Sequence, residues 1–289
     1  MRNKILLTLF AAAMLFAGCC KDKDIAATGF AKVKVTVSDF AVSQEDFSKA
    51  QSVGTYSGVK FLTLAFYTGD GTEVYKVTQQ KENMGEGETF GEFSTALAMG
   101  SYTMVVLGCG GNNMPTLTSA TSATFGENVV GETFVATRSV TVNSNADVNL
   151  DATLDRIVSG IAIVSTDGRA DEAKKLRITT STGSRSFNPT TGLATENSGI
   201  IATITHPEAV GTVTRSATLF FLAADEQEAN VTIETLDEND QVLFSKTVEN
   251  VPLKRNRLTI LTGALYSATA TAGSFQVNTD WLGNYNMNF

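Results

Sequence analysis

From residue 30 onward the chain alternates. In Phe30-Ala31-Lys32-Val33-Lys34-Val35-Thr36-Val37 the valines fall on one side and Lys32, Lys34 and Thr36 on the other. That period of two predicts a half-buried strand. Val59–Tyr67 is apolar at both parities, which predicts a strand buried on two faces. Thr68-Gly69-Asp70-Gly71 supplies a turn and Thr72–Thr78 returns. The Asp-Gly pair predicts a type I′ turn with two residues at positive φ. Residues 81–91, rich in Gly and Glu, read as an exposed loop. Phe93–Leu97 and Tyr102–Leu107 read as strands, the second running into Gly108-Cys109-Gly110-Gly111. Residues 112–131 read as a polar loop with apolar islands. Strands follow at Thr133–Ala136, Val140–Val142 and Val148–Leu150.

A domain boundary is expected near Asp151. Beyond it come the apolar stretch Leu154–Val164 and strands at Leu176–Thr179, Ala217–Ala223, Val231–Leu236 and Val242–Val248. Residues 180–200 read as loop, with turn signals at Asn188-Pro189 and Thr191-Gly192. Asp171–Lys175 and Ser43–Lys49 are the short-helix candidates. The hairpin 59–77 rhymes with 231–248, and strand 102–108 with 258–263. Short strands, frequent turns and no helical crossovers predict an all-β chain, with two β-sandwich domains in tandem at 30–150 and 151–289.

The N-terminus carries a different pattern. Arg2 and Lys4 precede Ile5–Phe16, an apolar run interrupted only by Thr8. At a dozen residues it is shorter than the about 20 that a membrane span needs. It predicts a secretory signal over residues 1–18. Phe16-Ala17-Gly18-Cys19 resembles the lipobox cut by lipoprotein signal peptidase, so Cys19 is expected to carry the lipid. Residues 19–29 then form a lipidated tether on an outer membrane, facing outward. Several acyl chains give stable attachment where one is marginal.

Composition narrows the function. Apolar residues make up 43% of the 289, enough for substantial cores. The formal charge of −8 becomes more negative once Arg2 and Lys4 are lost, which argues against nucleic-acid binding. Cys20 and Cys109 remain after lipidation, too few for a disulfide framework, and Cys109 is expected to be buried. The lone histidine, His206, has no ligand-spaced neighbours, so neither a metal nor another cofactor is expected. The acidic run Asp237–Asp240 reads as a solvated turn rather than a calcium loop. No nucleophile elbow, phosphate loop or zincin helix occurs, and no enzymatic activity is expected.

Three segments carry a resemblance to a known family. They are Leu62–Tyr67 followed by Asp70-Gly71, with Gly100-Ser101-Tyr102 opening a strand that ends in Gly108; Leu154-Asp155-Arg156-Ile157-Val158-Ser159-Gly160-Ile161; and Val251–Leu265. With Phe275–Trp281 they resemble the fimbrillin-like lipoproteins, the major and minor subunits of type V pili. The resemblance implies two transthyretin-like sandwiches and a role as pilus subunit or adhesin. It also implies assembly by strand exchange, in which a protease removes the first strand and a neighbour's strand fills the groove. Val33, Val35 and Val37 are then the displaced strand. Phe275, Val277, Thr279 and Trp281 are the candidate donor strand, with Met287 and Phe289 beyond. Other pilus subunits are the implied partners.

One departure stands out. Shaft subunits of that family are matured by an arginine-specific protease, yet after Arg2 the next arginine here is Arg138. Lys32, Lys34 and Lys49 are the basic residues near the first strand. Retention of the lipid as an anchor, use of another protease, and absence of polymerisation all stay open. The alternative is a glycan-binding lipoprotein of a nutrient-uptake system. Trp281, assisted by Tyr56, Tyr67 and Tyr75, would supply its sugar platform.

Overall fold

The computed structural model describes residues 29–41, 51–52, 58–267 and 276–278. Its first half contributes β1 (Phe30–Ala41), β2 (Gln51–Ser52), β3 (Phe61–Thr68), β4 (Glu73–Gln80), β5 (Glu92–Ala98), β6 (Gly100–Cys109), β7 (Thr116–Ser119), β8 (Ser122–Thr124), β9 (Thr133–Val142) and β10 (Val148–Arg156). The second contributes β11 (Ser159–Ser165), β12 (Lys175–Thr180), β13 (Ser186–Asn188), β14 (Leu193–Ala194), β15 (Ile201–Thr205), β16 (Arg215–Phe220), β17 (Glu226–Leu236), β18 (Val242–Lys254), β19 (Leu258–Gly263) and β20 (Gln276–Asn278).

The fold is of β-sandwich type, and its two halves share one strand wiring. In the first, one eight-stranded sheet curls over so that β5-β1-β10 faces β4-β3-β6-β9, with β9 and β10 paired at Asp155 and Arg156 where the layers join. In the second, β16-β11-β19 faces β15-β12-β17-β18. The first strand lies parallel to the last in both, β1 with β10 and β11 with β19; the other pairs are antiparallel. Strand for strand, β1, β3, β4, β5, β6, β9 and β10 therefore correspond to β11, β12, β15, β16, β17, β18 and β19. The sequence rhyme is out of step with this: hairpin 231–248 corresponds to β6–β9, not to the β3–β4 hairpin.

Inward side chains of facing sheets make the two main cores. Val33, Val35, Phe40, Leu62, Leu64, Phe66, Met104, Val106, Phe134 and Leu154 fill the first. Ile161, Ile163, Leu176, Ile178, Phe220, Val231, Ile233 and Leu261 fill the second. A third core lies between the halves. There Ala65, Tyr67, Val105, Leu107 and Cys109, on the opposite face of β3 and β6, meet Ile157, Phe187, Leu219 and Phe221. This explains why β3 and β6 are apolar on both faces: each faces a sandwich core and a junction.

Several expectations need correction. Residue 151 lies inside β10, which stays paired in the first sheet to Arg156. The two short strands at 133–142 are one, β9. The loops 112–131 and 180–200 are not wholly irregular: β7 and β8 join β13 and β14 in a four-stranded sheet across the junction. Their runs of two to four residues are too short for a period to show. Asp171–Lys175 is a turn leading into β12, held by Ala173 N–H to Ala170 O at 3.2 Å. The described helical element is a 3₁₀ turn, Lys81–Asn83. Ser43–Lys49 lies outside the described residues.

The hairpin after β3 also differs from expectation. Gly71 N–H donates to Thr68 O and Thr68 N–H to Thr72 O, both at 2.9 Å, with positive φ at Gly71 but not at Asp70. That is a three-residue loop, a type I turn closed by a left-handed residue, rather than a type I′ turn. The β17–β18 hairpin repeats it: Asp240 N–H donates to Asp237 O, Asp237 N–H to Gln241 O, and Asp240 has φ 64°.

Candidate functional site

β1 sits between two neighbours. Its register runs Val33 to Val148, Val35 to Leu150 and Phe40 to Leu154 on one side. On the other, Phe30 opposes Ala98 and Thr36 opposes Glu92. Ala31, Val33, Val35, Val37 and Phe40 all point into the core. A register shift between Val37 and Asp39 moves the inward parity from 37 to 40, so the strand outruns its simple alternation and reaches Ala41. Phe40 stacks obliquely on Phe134 at 5.1 Å between ring centroids. A Cβ on Gly108, the penultimate residue of β6, would come within 3.1 Å of Phe40 and 3.2 Å of Leu154, so a glycine there leaves room for the Phe40 ring. Lys32 and Lys34 face outward, Lys34 pairing with Glu92 at 3.4 Å.

The candidate donor strand is only partly described. Val277 lies in β20, which pairs antiparallel with the chain's own β19, Val277 opposite Leu261. Phe275, Thr279 and Trp281, with Met287 and Phe289, lie outside the described residues, as do Cys19 and Tyr56.

Tyr67 and Tyr75 do not form a shared platform. Tyr67 is buried in the junction core, where burial, with Glu73 nearby, pushes its hydroxyl up to about 12. Tyr75 packs near Phe66 on the other core. A groove of about 500 Å³ does lie between β4 and β5, lined by Tyr75, Met84, Phe93, Gln79 and Lys34. The Gln79 amide bridges its base, donating to Glu92 O at 2.7 Å and accepting from Gly91 N–H at 2.8 Å.

Two polar clusters escaped the sequence reading. At the junction, Arg156 is buried and pairs with Glu132 at 2.6 Å; its guanidinium also donates to Asn256 Oδ1 at 3.3 Å and lies 5.3 Å from the Phe134 ring centroid. Asn256 adopts φ 58°, and its N–H donates to Val158 O at 2.8 Å. Two of the resemblance segments, 154–161 and 251–265, thus meet in space.

In the second half the His206 side chain is fully buried. Its Nε2 lies 3.0 Å from the Tyr266 hydroxyl, which lies 2.6 Å from Thr214 Oγ1. Burial lowers the His206 pKa; Arg169 lowers it further and Glu208, 3.6 Å away, opposes. Asp167 accepts the backbone N–H groups of Leu265, Tyr266 and Ser267 at 2.8–2.9 Å. Burial raises its pKa, but those three bonds outweigh it and hold the carboxyl below its ordinary value.

Cys109 is free and buried, its thiol pushed up to about 12 by desolvation. Asp237 Oδ1 accepts the N–H groups of its own turn, from Asn239 and Gln241 at 2.8 Å, and Asp240 pairs with Lys175 at 2.7 Å. Among the described residues no three His, Cys, Asp or Glu side chains group to hold a metal.

The fold defines a class: all-β proteins of the sandwich type in which the first strand of each half closes against its last. Within it, the chain belongs to the family of unknown function DUF6562, whose profile matches residues 112–288. The fold is shared with a candidate adhesin from Bacteroides ovatus, at 13% identity over 82% of this chain and 88% of that one, with a TM-score of 0.51. It is shared also with a candidate polysaccharide-binding protein from Bacteroides thetaiotaomicron, at 8% identity over 81% and 92%, with a TM-score of 0.50. The fimbrial anchor protein Mfa2 from Porphyromonas gingivalis is more distant: 11% identity over 88% and 98%, with a TM-score of 0.47. No curated protein matches in sequence.

Proposed function

We propose that the chain is a non-enzymatic, lipid-anchored surface protein, a fimbrial subunit or adhesin that keeps its own first strand. The carrying observation is the seat of β1, hydrogen-bonded along both edges and buried on its inner face. A strand so placed leaves, when removed, a groove with two backbone edges and a row of apolar pockets, the arrangement that strand addition uses. Val33, Val35 and Val37 are the side chains a neighbour's strand would have to mimic. Cleavage at Lys32 or Lys34 is disfavoured because both lie within the doubly paired strand, where a trypsin-like protease would have to unpair the sheet before binding the backbone, which leaves Lys49 as the site that retention requires to stay uncut. The adhesin reading also draws on the fold shared with the Bacteroides ovatus protein.

The test is to isolate the protein from the cell surface, sequence its N-terminus and run it unboiled on a denaturing gel. Lipidated Cys19 at the start and a monomer band support a retained strand and an anchored role. A start near residue 50, with a ladder of multimers that collapses on heating, makes the chain a polymerising subunit instead. The glycan-binding alternative is supported by the groove beside Tyr75; binding of oligosaccharide by the monomer, lost in Tyr75→Ala, would favour it.

A further inference from the structure

Phe30 and Met99 are large apolar side chains left 56% and 50% exposed. The β1–β5 register sets Phe30 opposite Ala98, and Met99 N–H donates to Gly29 O at 3.0 Å, so the two mark the same end of this strand pair. Lys32, next on the outer face of β1, is exposed as well. Single exposed apolar residues are ordinary; these two sit where the chain enters the first sandwich from residues 19–29. Eleven residues reach at most about 40 Å even when fully extended. A bilayer holding Cys19 is therefore never far from this end.

The opposite end points elsewhere. β6 starts beside Met99 at Gly100 and finishes at Cys109, in the junction core against Phe187, Leu219 and Phe221 of the second half. Ten residues of strand span about 34 Å. The chain enters its second half from that far end, because β10 finishes at Arg156 opposite Phe134, beside Gly108, and β11 begins at Ser159.

We propose that Phe30 and Met99 dock on a lipid bilayer surface at the headgroup–acyl boundary and hold the chain upright, the second half directed away. This rests on the lipid-anchor reading above. Apolar side chains enter that boundary while a lysine such as Lys32 keeps its ammonium among the phosphates. The acyl chains supply attachment; the patch supplies orientation.

The test uses the full chain, lipidated in a bacterial host, in a Cys20→Ser background and reconstituted into phosphatidylcholine vesicles containing nitroxide lipid. A bimane label is placed through Ser101→Cys beside the patch, or through Glu238→Cys at the β17–β18 hairpin. Severalfold stronger quenching at 101 than at 238 is expected. Adding Phe30→Ser and Met99→Ser should bring quenching at 101 down to that at 238 while the protein still floats with the vesicles. Equal quenching at both positions in floating protein, including the case where the patch is covered by a second copy, overturns this proposal alone. A chain that does not float overturns the anchor reading and this proposal together.

Discussion

The Arg156 guanidinium donates to Asn256 Oδ1 across the junction from a hundred residues away in sequence. It also holds Glu132, so one side chain ties together the end of β10, the approach to β9 and the β18–β19 turn. Arg156→Ala should cost about 2–4 kcal/mol, under the range for a fully buried pair because Glu132 keeps some solvent. Arg156→Lys should not restore this, since an ammonium lacks the planar fork. The urea midpoint of each variant is the measurement, and wild-type midpoints would show the junction to be slack.

Acid should loosen the second half. His206 is buried neutral with its pKa lowered, whereas in the unfolded chain it takes a proton near 6.5. Between those two values the unfolded state binds more protons, so stability falls as pH drops below about 6.5, by at most about 1.4 kcal/mol per pH unit. Asp167, held below its ordinary value, stays ionised in this window and contributes no slope. Urea midpoints between pH 7.5 and 5.5 should fall in the wild type and flatten in His206→Gln. An unchanged slope in the variant would assign the effect to other groups.

Phe40→Ala should destabilise by about 3–5 kcal/mol, as for a large aromatic lost from a packed core. Lys34→Ala, on the outer face, should stay within about 0.5 kcal/mol. If chemical denaturation of the full chain does not separate these two variants, β1 is not seated as described.

Gly71→Ala isolates backbone conformation, because nothing lies within 4 Å of the added Cβ while φ is +86°. A loss of about 1–2 kcal/mol is expected from the left-handed conformation alone. The thermal midpoint provides the reading, and an unshifted value would argue against the three-residue loop.

Cys109 should resist alkylation in the native chain and react once denatured, in keeping with a thiol pushed up to about 12. Rapid modification by iodoacetamide without denaturant would mean that the junction core opens readily.

The sequence made the long, regular elements plain. Alternation in 30–37 identifies the buried face of β1, because one side of that strand meets a core and the other meets water. It stops short of Ala41, since the register shift after Val37 breaks the period. The double-faced apolar runs of β3 and β6 mark central strands, but not the second surface they face, which is built from residues 117–130 and 157–221. Arg156 carries no local signal of burial: its partners Glu132 and Asn256 are set by topology. His206 looks like a loop residue because the groups around it come from segments 167–173, 208–214 and 266. The match between β3–β4 and β12–β15 is hidden by length, as a tight turn in the first half becomes the long connection holding β13 and β14 in the second.

The parallel pairing of β1 with β10 has a consequence for the order of events during synthesis. Val33 and Val148 are over a hundred residues apart yet adjacent in the sheet. A chain emerging N-terminus first cannot complete its first sandwich until the last of those strands has arrived. Until then one flank of β1 is bare, and the loop to be closed is long, the condition under which β proteins fold slowly and associate wrongly. β11 then waits in the same way for β19. A helper that shields exposed strands, or simple speed of delivery, would decide how many chains reach the finished state.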